Sequence, residues 1–452
     1  MGVSFRFIHA ADLHVDSPFR GLTEVPTHVR EALQMSTFQA VESLVRTAIT
    51  AEVDFVVIAG DLYDSADRSL RAQLALQKEW QKLHAHSVRL FVIHGNHDHL
   101  SGQQAALAWP ESVHFFGSDK VERLPAYTKR GELAAYISGI SYETRSVMTN
   151  LAAGYRAGTD GIYGIALLHG SVDGTVGHDP YAPCKLDELV GAGFHYWALG
   201  HIHQRTVLHT YPHVVYSGNT QGRHAKETGA KGCYIVNVSA SHETELQFIP
   251  LDTVRWIDRP LAIDGMDTEQ QLLDQLERAA VAAVLESEGR SLMLRFTLIG
   301  RSALHARLEA TAVVQELLEG LRERLAVSGW QQEVGLADDA WCWVAGIENE
   351  AGALIDLAGL AEEDSFVGEL IRGSLQIEGD AAEFKQVIEE ALQPLLSHAK
   401  LRRLTRSVME ERAEDWFAHA REVAAGLLAA EQADQVADKQ GERPAADGGD
   451  ER

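Results

Sequence analysis

At 452 residues with 45 % hydrophobic content, the chain is long enough for two or three domains and a sizeable core. Its formal charge of −25 excludes a uniformly basic nucleic-acid-binding surface. The acidity is uneven, because residues 1–250 carry 20 Lys+Arg against 25 Asp+Glu and residues 251–452 carry 20 against 40.

Short apolar runs alternate with helical patterns at Phe5–Ala10, Val29–Ile49, Val53–Ala59, Leu70–His84 and Val88–Ile93, the rhythm of an α/β domain. Further strands are expected at Ala134–Ile140, Ile162–Leu168, Tyr196–Leu199, Val214–Tyr216, Cys233–Val238 and Leu246–Pro250, with fewer helices between them. The expectation is a layered, partly parallel sheet system with helices outside. From Trp256 the pattern changes to a smaller α+β region with a helix at Glu269–Glu288, a strand at Leu292–Ile299, a helix at Ala303–Val327 and a strand at Trp341–Ile347. Helical patterns follow at Phe384–Leu396 and Leu401–Ala430. The expected divisions are 1–255, 256–362, 363–430 and a disordered acidic tail at 431–452. No window nears twenty uninterrupted apolar residues and no basic-then-apolar leader precedes Ser4–Ile8, so a soluble, cytoplasmic protein without a membrane span is expected. Cys184, Cys233 and Cys342 are widely spaced, without a CxxC pair, and read as reduced thiols.

Five segments place polar donors directly after a strand: Asp12-Leu13-His14, Gly60-Asp61-Leu62-Tyr63-Asp64, Gly95-Asn96-His97-Asp98, His169-Gly170 and Gly200-His201-Ile202-His203. Residues at the carboxyl ends of strands converge on one rim of an open sheet. Residues two apart on extended chain point the same way, so Asp12 with His14, and His201 with His203, each offer two donors to one locality. The mixture of imidazole and oxygen donors suits a pair of manganese, iron or zinc ions better than calcium or magnesium alone. Each pair alone could be a polar surface turn. Recurrence of five such segments in one context argues for a metal centre. His9, Asp16, His94 and His99 read as structural or solvated.

The ordered series DxH, GDxxD, GNHD, HG and GHxH resembles the calcineurin-like metallophosphoesterase superfamily. The forms HAADLHVDSPF, GDLYDSAD, GNHDHLSG, LLHGSV and YSGNTQGRHAKETGAKG resemble the SbcD-type branch of DNA-repair exonucleases, and within it the YhaO subgroup, over roughly residues 4–250. The stretch Ser291–His305 resembles the capping domain of that branch. The resemblance implies a four-layer β-sandwich flanked by helices, with an α+β cap and a helical tail. It implies that Asp12, His14, Asp61 and His203 hold one divalent metal and that Asp61, Asn96, His169 and His201 hold a second, with Asp61 bridging and manganese preferred. His97 matches the proton donor, and Asp98 would orient its imidazole. Asp64 stands where archaeal and eukaryotic relatives have histidine. Two ions about 3.5–4 Å apart would activate water for in-line attack on a phosphodiester.

The resemblance also implies DNA as substrate, acted on as an exonuclease or endonuclease, and a coiled-coil SMC-like ATPase partner. The helical register of 400–430 offers Leu401, Leu404, Val408 and Phe417 either as anchors for that partner or for packing on their own domain. A homodimer is left open. So is a small-molecule phosphodiesterase or phosphatase, because the centre alone does not select a substrate. Arg205, Arg223 and Lys226 are the candidate phosphate contacts, and His178 and His224 lie in similar loops. Trp341 and Trp343 share a face on one strand, which favours core packing over base stacking.

Overall fold

The computed structural model describes residues 2–19, 25–103, 105–174, 181–327, 340–398 and 401–441. Residues 442–452 of the expected tail, and His178 and Lys400, lie outside the described residues. The first part of the chain holds β1 (Phe5–Ala10), β2 (Phe55–Ala59), β3 (Arg89–Ile93), β4 (Val113–Phe115), β5 (Glu122–Tyr127), β6 (Leu133–Gly139), β7 (Tyr163–His169), β8 (Tyr196–Gly200), β9 (Thr206–Thr210), β10 (His213–Tyr216), β11 (Gly232–Val238) and β12 (Thr244–Pro250). Its helices are α1 (Thr27–Thr50), α2 (Leu70–Ala85) and α3 (Leu186–Gly191). The strands make two six-stranded sheets, ordered β12-β11-β1-β2-β3-β4 and β5-β6-β7-β8-β10-β9. Strands β1 to β4 are parallel and β11 and β12 antiparallel. In the second sheet β6, β7, β8 and β10 run parallel, with β5 and β9 antiparallel at the edges.

Alternation along each strand explains the layering. Ile8, Ala10, Val56 and Ile58 face a core shared with Val41, Leu44 and Val45 of α1 and Leu76, Trp80 and Leu83 of α2. Their neighbours Phe5, Phe7, Phe55 and Val57 face the other way and pack against Tyr163, Ile165, Leu167, Tyr196 and Ala198 of the second sheet. The far face of that sheet, with Ala166, Leu168, Trp197 and Leu199, is covered by Leu189 of α3 and by Tyr155. Phe7 stacks on Phe55 at 5.3 Å and meets Tyr196 edge-on at 5.3 Å, so aromatic contacts knit the two sheets together. Helix α2 starts where the Ser69 hydroxyl accepts from Ala72 N–H at 3.1 Å.

The sequence does not reveal β4, β5 and β9. All three are edge strands or lie next to the open end of a sheet, with half-buried side chains and no continuous apolar run. Further along come β13 (Val254–Ala262), β14 (Ser291–Ile299), β15 (Arg301–Ser302), β16 (Cys342–Asn349) and β17 (Gly352–Ala353). The helices there are α4 (Glu269–Glu286), α5 (His305–Leu308), α6 (Thr311–Val327), α7 (Leu357–Glu362), α8 (Phe366–Gly379), α9 (Ala381–Ala391), α10 (Gln393–Ser397) and α11 (Arg402–Gly441). The single helix expected at 384–396 is broken in two, with a proline in the first turn of α10. Helix α11 continues to Gly441, into the segment expected to be a tail.

The chain forms two compact units, one of Met1–Asp258, Ala279–Arg295 and Ser328–Ala345, the other of Arg259–Arg278, Phe296–Val327 and Gly346–Arg452. The segment 256–362 is therefore divided between them. In the first unit Trp341 and Trp343 pack against a cluster of Val29, Leu33, Val254, Trp256 and Met293, in keeping with a core role. In the second, Ala425 of α11 packs with Val367 and Ile371 of α8, and Phe417 meets Phe384 edge-on at 5.3 Å. Phe417 is thus used within its own unit, whereas Leu404 is 63 % exposed. No described helix is long and apolar enough to cross a membrane.

At their carboxyl rim the two sheets approach so closely that a Cβ on Gly200 would collide with the Ala59 carbonyl. Gly200→Ala is expected to cost about 1–3 kcal/mol through overpacking, read as a lower urea midpoint by tryptophan fluorescence.

Candidate metal centre

Five strands deliver the polar residues to that rim. Asp12 and His14 follow β1, Asp61 follows β2, Asn96 and His97 follow β3, His169 ends β7, and His201 and His203 follow β8. The backbone leaves β1, β2 and β8 abruptly, with left-handed φ angles of 52° at Asp12, 41° at His14, 53° at Asp61 and 96° at His201. Such conformations cost about 1–3 kcal/mol each and persist where the surroundings fix them. Here Asp12 N–H donates to Gly60 O at 3.0 Å and His14 N–H to Asp61 O at 3.1 Å, tying the first turn to the second. Gly95 has no room for a side chain, since a Cβ would lie 2.7 Å from His169 Nε2.

Three donor groups converge among the described residues: Asp12, His14 and His203; Asp12, Asp61 and His169; and His14, Asp64 and His97. Asp61 Oδ2 lies 3.4 Å from His169 Nε2 and 3.8 Å from His14 Nε2, between the two imidazoles. His169 donates its Nδ1 proton to Ala59 O at 2.9 Å, which turns Nε2 towards Asn96 Oδ1 at 2.9 Å and towards Asp61. The backbone N–H of His201 donates to both Asp12 oxygens at 3.1 Å, and its ring is centred 5.4 Å from that of His169.

The protonation pattern bears on whether these residues suit cations. His203 donates Nδ1–H to Glu227 Oε1 at 2.5 Å, leaving a lone pair on Nε2. That atom faces His14 Nε2 at 3.1 Å, while buried His14 Nδ1 has no hydrogen-bond partner. Burial, together with the Arg223 charge, lowers the His14 pKa well below the usual imidazole range. His14 Nε2 and His203 Nε2 therefore meet within hydrogen-bonding distance beside two carboxylates that are each 1 % exposed. Buried carboxylates and imidazoles arranged in this way suit divalent cations. Burial raises the Asp12 pKa, offset in part by His203 and His169. Burial would also raise Asp61, but His169, His14 and His97 hold it well below the carboxylate range. Burial would lower His169, yet the Asp61 charge overcomes it and pushes His169 up to about 9.

His97 N–H donates to Asp61 Oδ1 at 3.0 Å, and its Nδ1 donates to the Asp64 carbonyl at 2.8 Å. The expectation that Asp98 orients His97 is corrected. Asp98 is fully buried and accepts from Leu62 N at 3.0 Å, from Gly95 N at 2.7 Å and from His94 Nδ1 at 3.0 Å. Its side chain points back into the loop, stapling the turn after β3 to the turn after β2, and backbone Asp64 takes the orienting part. His9 is a core residue that bonds Tyr196 Oη at 3.0 Å and Leu199 O at 3.2 Å, with burial lowering its pKa to about 3.

Of the three cations expected to meet phosphate, only Arg223 is among the described residues lining the cavity beside His97. Arg205 is instead held over the Phe248 ring at 3.9 Å. Lys226 lies in the loop whose backbone N–H bonds His224 Nδ1 at 3.2 Å. Arg223 is paired with Asp64 and bonds Ser17 Oγ at 3.1 Å.

Glu227 was missed as a functional residue, although it lies in the same loop motif. Burial would raise its pKa, but the bonds from His203 and His224 and the Arg223 charge hold it well below the carboxylate range. Its second oxygen accepts from Arg223 N–H at 2.6 Å and Asn219 Nδ2 at 3.1 Å. Nothing in sequence spacing links it to His203. Lys231 adds a bond from Nζ to His203 O at 3.1 Å.

Residues 5–205 match the calcineurin-like phosphoesterase family, and residues 256–352 match the middle domain of metallophosphoesterase YhaO. The chain is 42 % identical to metallophosphoesterase YhaO of Bacillus subtilis, over 71 % of this chain and 78 % of the relative. It is 29 % identical to the DNA double-strand break repair protein Mre11 of Thermoplasma acidophilum, over 55 % of this chain and 66 % of the relative. For the Mre11 of Methanopyrus kandleri the identity is 23 %, over 63 % and 65 %. The chain thus spans about two thirds of the length of these Mre11 relatives.

A carboxylate that fixes the tautomer of a ligating histidine typically accounts for about 10–100-fold in metal affinity. Glu227→Gln is expected to weaken manganese binding by that order in calorimetric titration. Unchanged affinity would exclude a role for Glu227 in the centre.

Proposed function

This chain belongs to the calcineurin-like metallophosphoesterases, in the YhaO subgroup, and from that premise we propose that it is a metal-dependent phosphodiesterase acting as a nuclease on DNA ends in repair. The observation that carries the hydrolytic part is the convergence of Asp12, His14 and His203, and of Asp12, Asp61 and His169, on one buried locality, with the Nε2 atoms of His14 and His203 3.1 Å apart. Support for DNA comes from relatives that are DNA double-strand break repair proteins.

In this reading Asp12, His14, Asp61 and His203 hold one divalent cation, and Asp61, Asn96, His169 and His201 hold the other, with Asp61 shared. Manganese is the assigned metal, with iron and zinc as alternatives. Such a pair, when bound, supplies Lewis acidity towards phosphoryl oxygens and water acidified to near-neutral pKa. His97 has its Nδ1 proton committed to the Asp64 carbonyl, so Nε2 is the nitrogen left to face the leaving oxygen, and as an imidazolium the ring would give that oxygen its Nε2 proton and keep the Nδ1 proton. Asp61 fixes the His97 backbone through its N–H, coupling the position of the proton donor to that of the cation ligands. The segment 256–362, which includes the match to the YhaO middle domain, is the proposed determinant of which ends are cleaved. The segment 363–430 docks a coiled-coil ATPase, a reading favoured by exposed Leu401 and Leu404 at the start of α11.

Manganese-loaded protein is expected to cleave single- or double-stranded DNA as well as bis(p-nitrophenyl) phosphate. Turnover of the small ester alone, at every salt concentration, would overturn the nuclease reading in favour of a small-molecule phosphodiesterase. His97→Ala is expected to reduce turnover about 10²–10⁴-fold with metal content unchanged. Full metal-dependent hydrolysis by that variant would remove His97 from its role.

A further inference from the structure

A cavity of about 590 Å³ opens beside His97, lined among others by Tyr63, Asp64, Arg145, Arg223 and His224. Cavities of about 300–1,000 Å³ enclose whole small ligands, so this space is larger than one diester phosphate requires. Whatever occupies it meets the charges on its walls, and those charges differ in how far the protein already satisfies them.

Arg68 is spent on structure. It is 3 % exposed, bonds the carbonyls of Asp98 and His99, and lies 5.7 Å from the Tyr63 ring. Arg223 is neutralised by Asp64 and by nearby Glu227 at 3.9 Å. His224 Nε2 lies 3.3 Å from Glu227, and His99 Nδ1 bonds Ser101 Oγ at 2.9 Å. The acidic walls are satisfied as well. Asp16 accepts from Ser69 Oγ at 2.6 Å and lies 3.7 Å from Arg71, and Asp64 is taken by Arg223.

Arg145 differs. It stands in the exposed loop that follows β6, between Tyr142 and the short 3₁₀ turn at Leu151–Gly154, and makes no ion pair with a carboxylate among the described residues. Among the described arginines that line the cavity it is the one with no side-chain or carbonyl partner, and a guanidinium is well shaped to take a phosphate with two parallel bonds.

We propose that Arg145 contacts a second phosphate of the substrate, next to the scissile one, and thereby selects a polynucleotide strand over a diester with a single phosphate. This inference rests on the nuclease reading above and adds to it a specific discriminating residue. The cations that hold the scissile phosphate do not distinguish a nucleic acid from a simple ester. A cation displaced from them along the cavity does, because only a polymer presents a further phosphate there.

The test compares wild type, Arg145→Ala, Arg145→Lys and Arg130→Ala, all as the full manganese-loaded chain, on a short single-stranded oligonucleotide and on bis(p-nitrophenyl) phosphate over a range of salt. Arg130 lies in the turn between β5 and β6, outside the cavity, and controls for the loss of one positive charge. Arg145→Ala is expected to lower the ratio of oligonucleotide to small-ester kcat/KM by about 10-fold or more, as for loss of a hydrogen bond to a charged group. The loss should fall on KM. The salt slope of oligonucleotide kcat/KM should become shallower by about 0.7, the value for one phosphate on a single strand. Arg145→Lys should retain that slope because it retains the charge, and Arg130→Ala should leave ratio and slope at wild-type values. An Arg145→Ala protein with unchanged ratio and slope, while wild type cleaves the oligonucleotide, overturns this inference and leaves the nuclease reading standing. Wild type that turns over only the small ester overturns both, and that result is read before any variant is made.

Discussion

Asp12 and Asp61 lie almost wholly out of solvent with His14, His169 and His203 packed around them, and the rest of the first unit can be understood from that constraint. Removing a carboxylate from water costs several kcal/mol per ion unless an opposite charge or well-aligned donors compensate it. Part of the compensation is visible: Asp12 takes two bonds from the His201 N–H, and Asp61 takes one from the His97 N–H. The Nε2 atoms of His14 and His203 meet each other at 3.1 Å and His14 Nδ1 has no hydrogen-bond partner, a donor set that a divalent cation would complete. The backbone supports the arrangement through left-handed φ angles at four of these residues, held by bonds from one rim turn to the next.

Both sheets are needed to build the rim. Asp12, Asp61 and Asn96 come from the first and His169, His201 and His203 from the second, so their separation is set by how closely the sheets approach. The aromatic layer of Phe5, Phe7, Phe55, Tyr163 and Tyr196 fills the interior, while at the rim Gly95 and Gly200 let backbone and imidazole meet where a side chain would force them apart. The fixing bonds behind the rim come from residues with no chemical role of their own. Tyr142 Oη donates to His169 O and Tyr216 Oη to Gly170 O, each at 2.7 Å, and Asp98 joins two turns. Precision at the centre is thus inherited from the core.

Much of this was readable from sequence because buried strands leave a strong trace. An apolar run followed at once by Asp, His or Asn marked the ends of β1, β2, β3, β7 and β8, and the structure brings the residues after all five together. What sequence hid was set by contacts at long separation or by weak patterning. The GNHD segment carries an Asp beside a His, which invites pairing of neighbours, yet adjacent residues on a tight turn point apart and Asp98 reaches His94 and Leu62 instead. Glu227 meets His203 from a different loop, so no local spacing advertises it. Arg205 looked free as a loop cation, but Phe248 on a neighbouring strand supplies an aromatic face for it. Edge strands such as β5, with Pro125 inside it, lack the continuous apolar signature that marked the central ones.

The overall acidity also takes a different meaning once the charges are located. Most of the excess carboxylate lies beyond residue 250, while residues 1–250 carry a net of only −5, and two of those carboxylates, Asp12 and Asp61, belong to the rim. Two bound dications would bring this half close to neutrality. A surface of that kind exerts little long-range pull on a polyanion, so affinity has to come from a small number of phosphates held at close range. That is consistent with a cavity whose other cations are already engaged by Asp64, Glu227 or backbone carbonyls. Under the proposed reading, discrimination by position would replace attraction by net charge, and the acidity of the chain would not conflict with a nucleic-acid substrate.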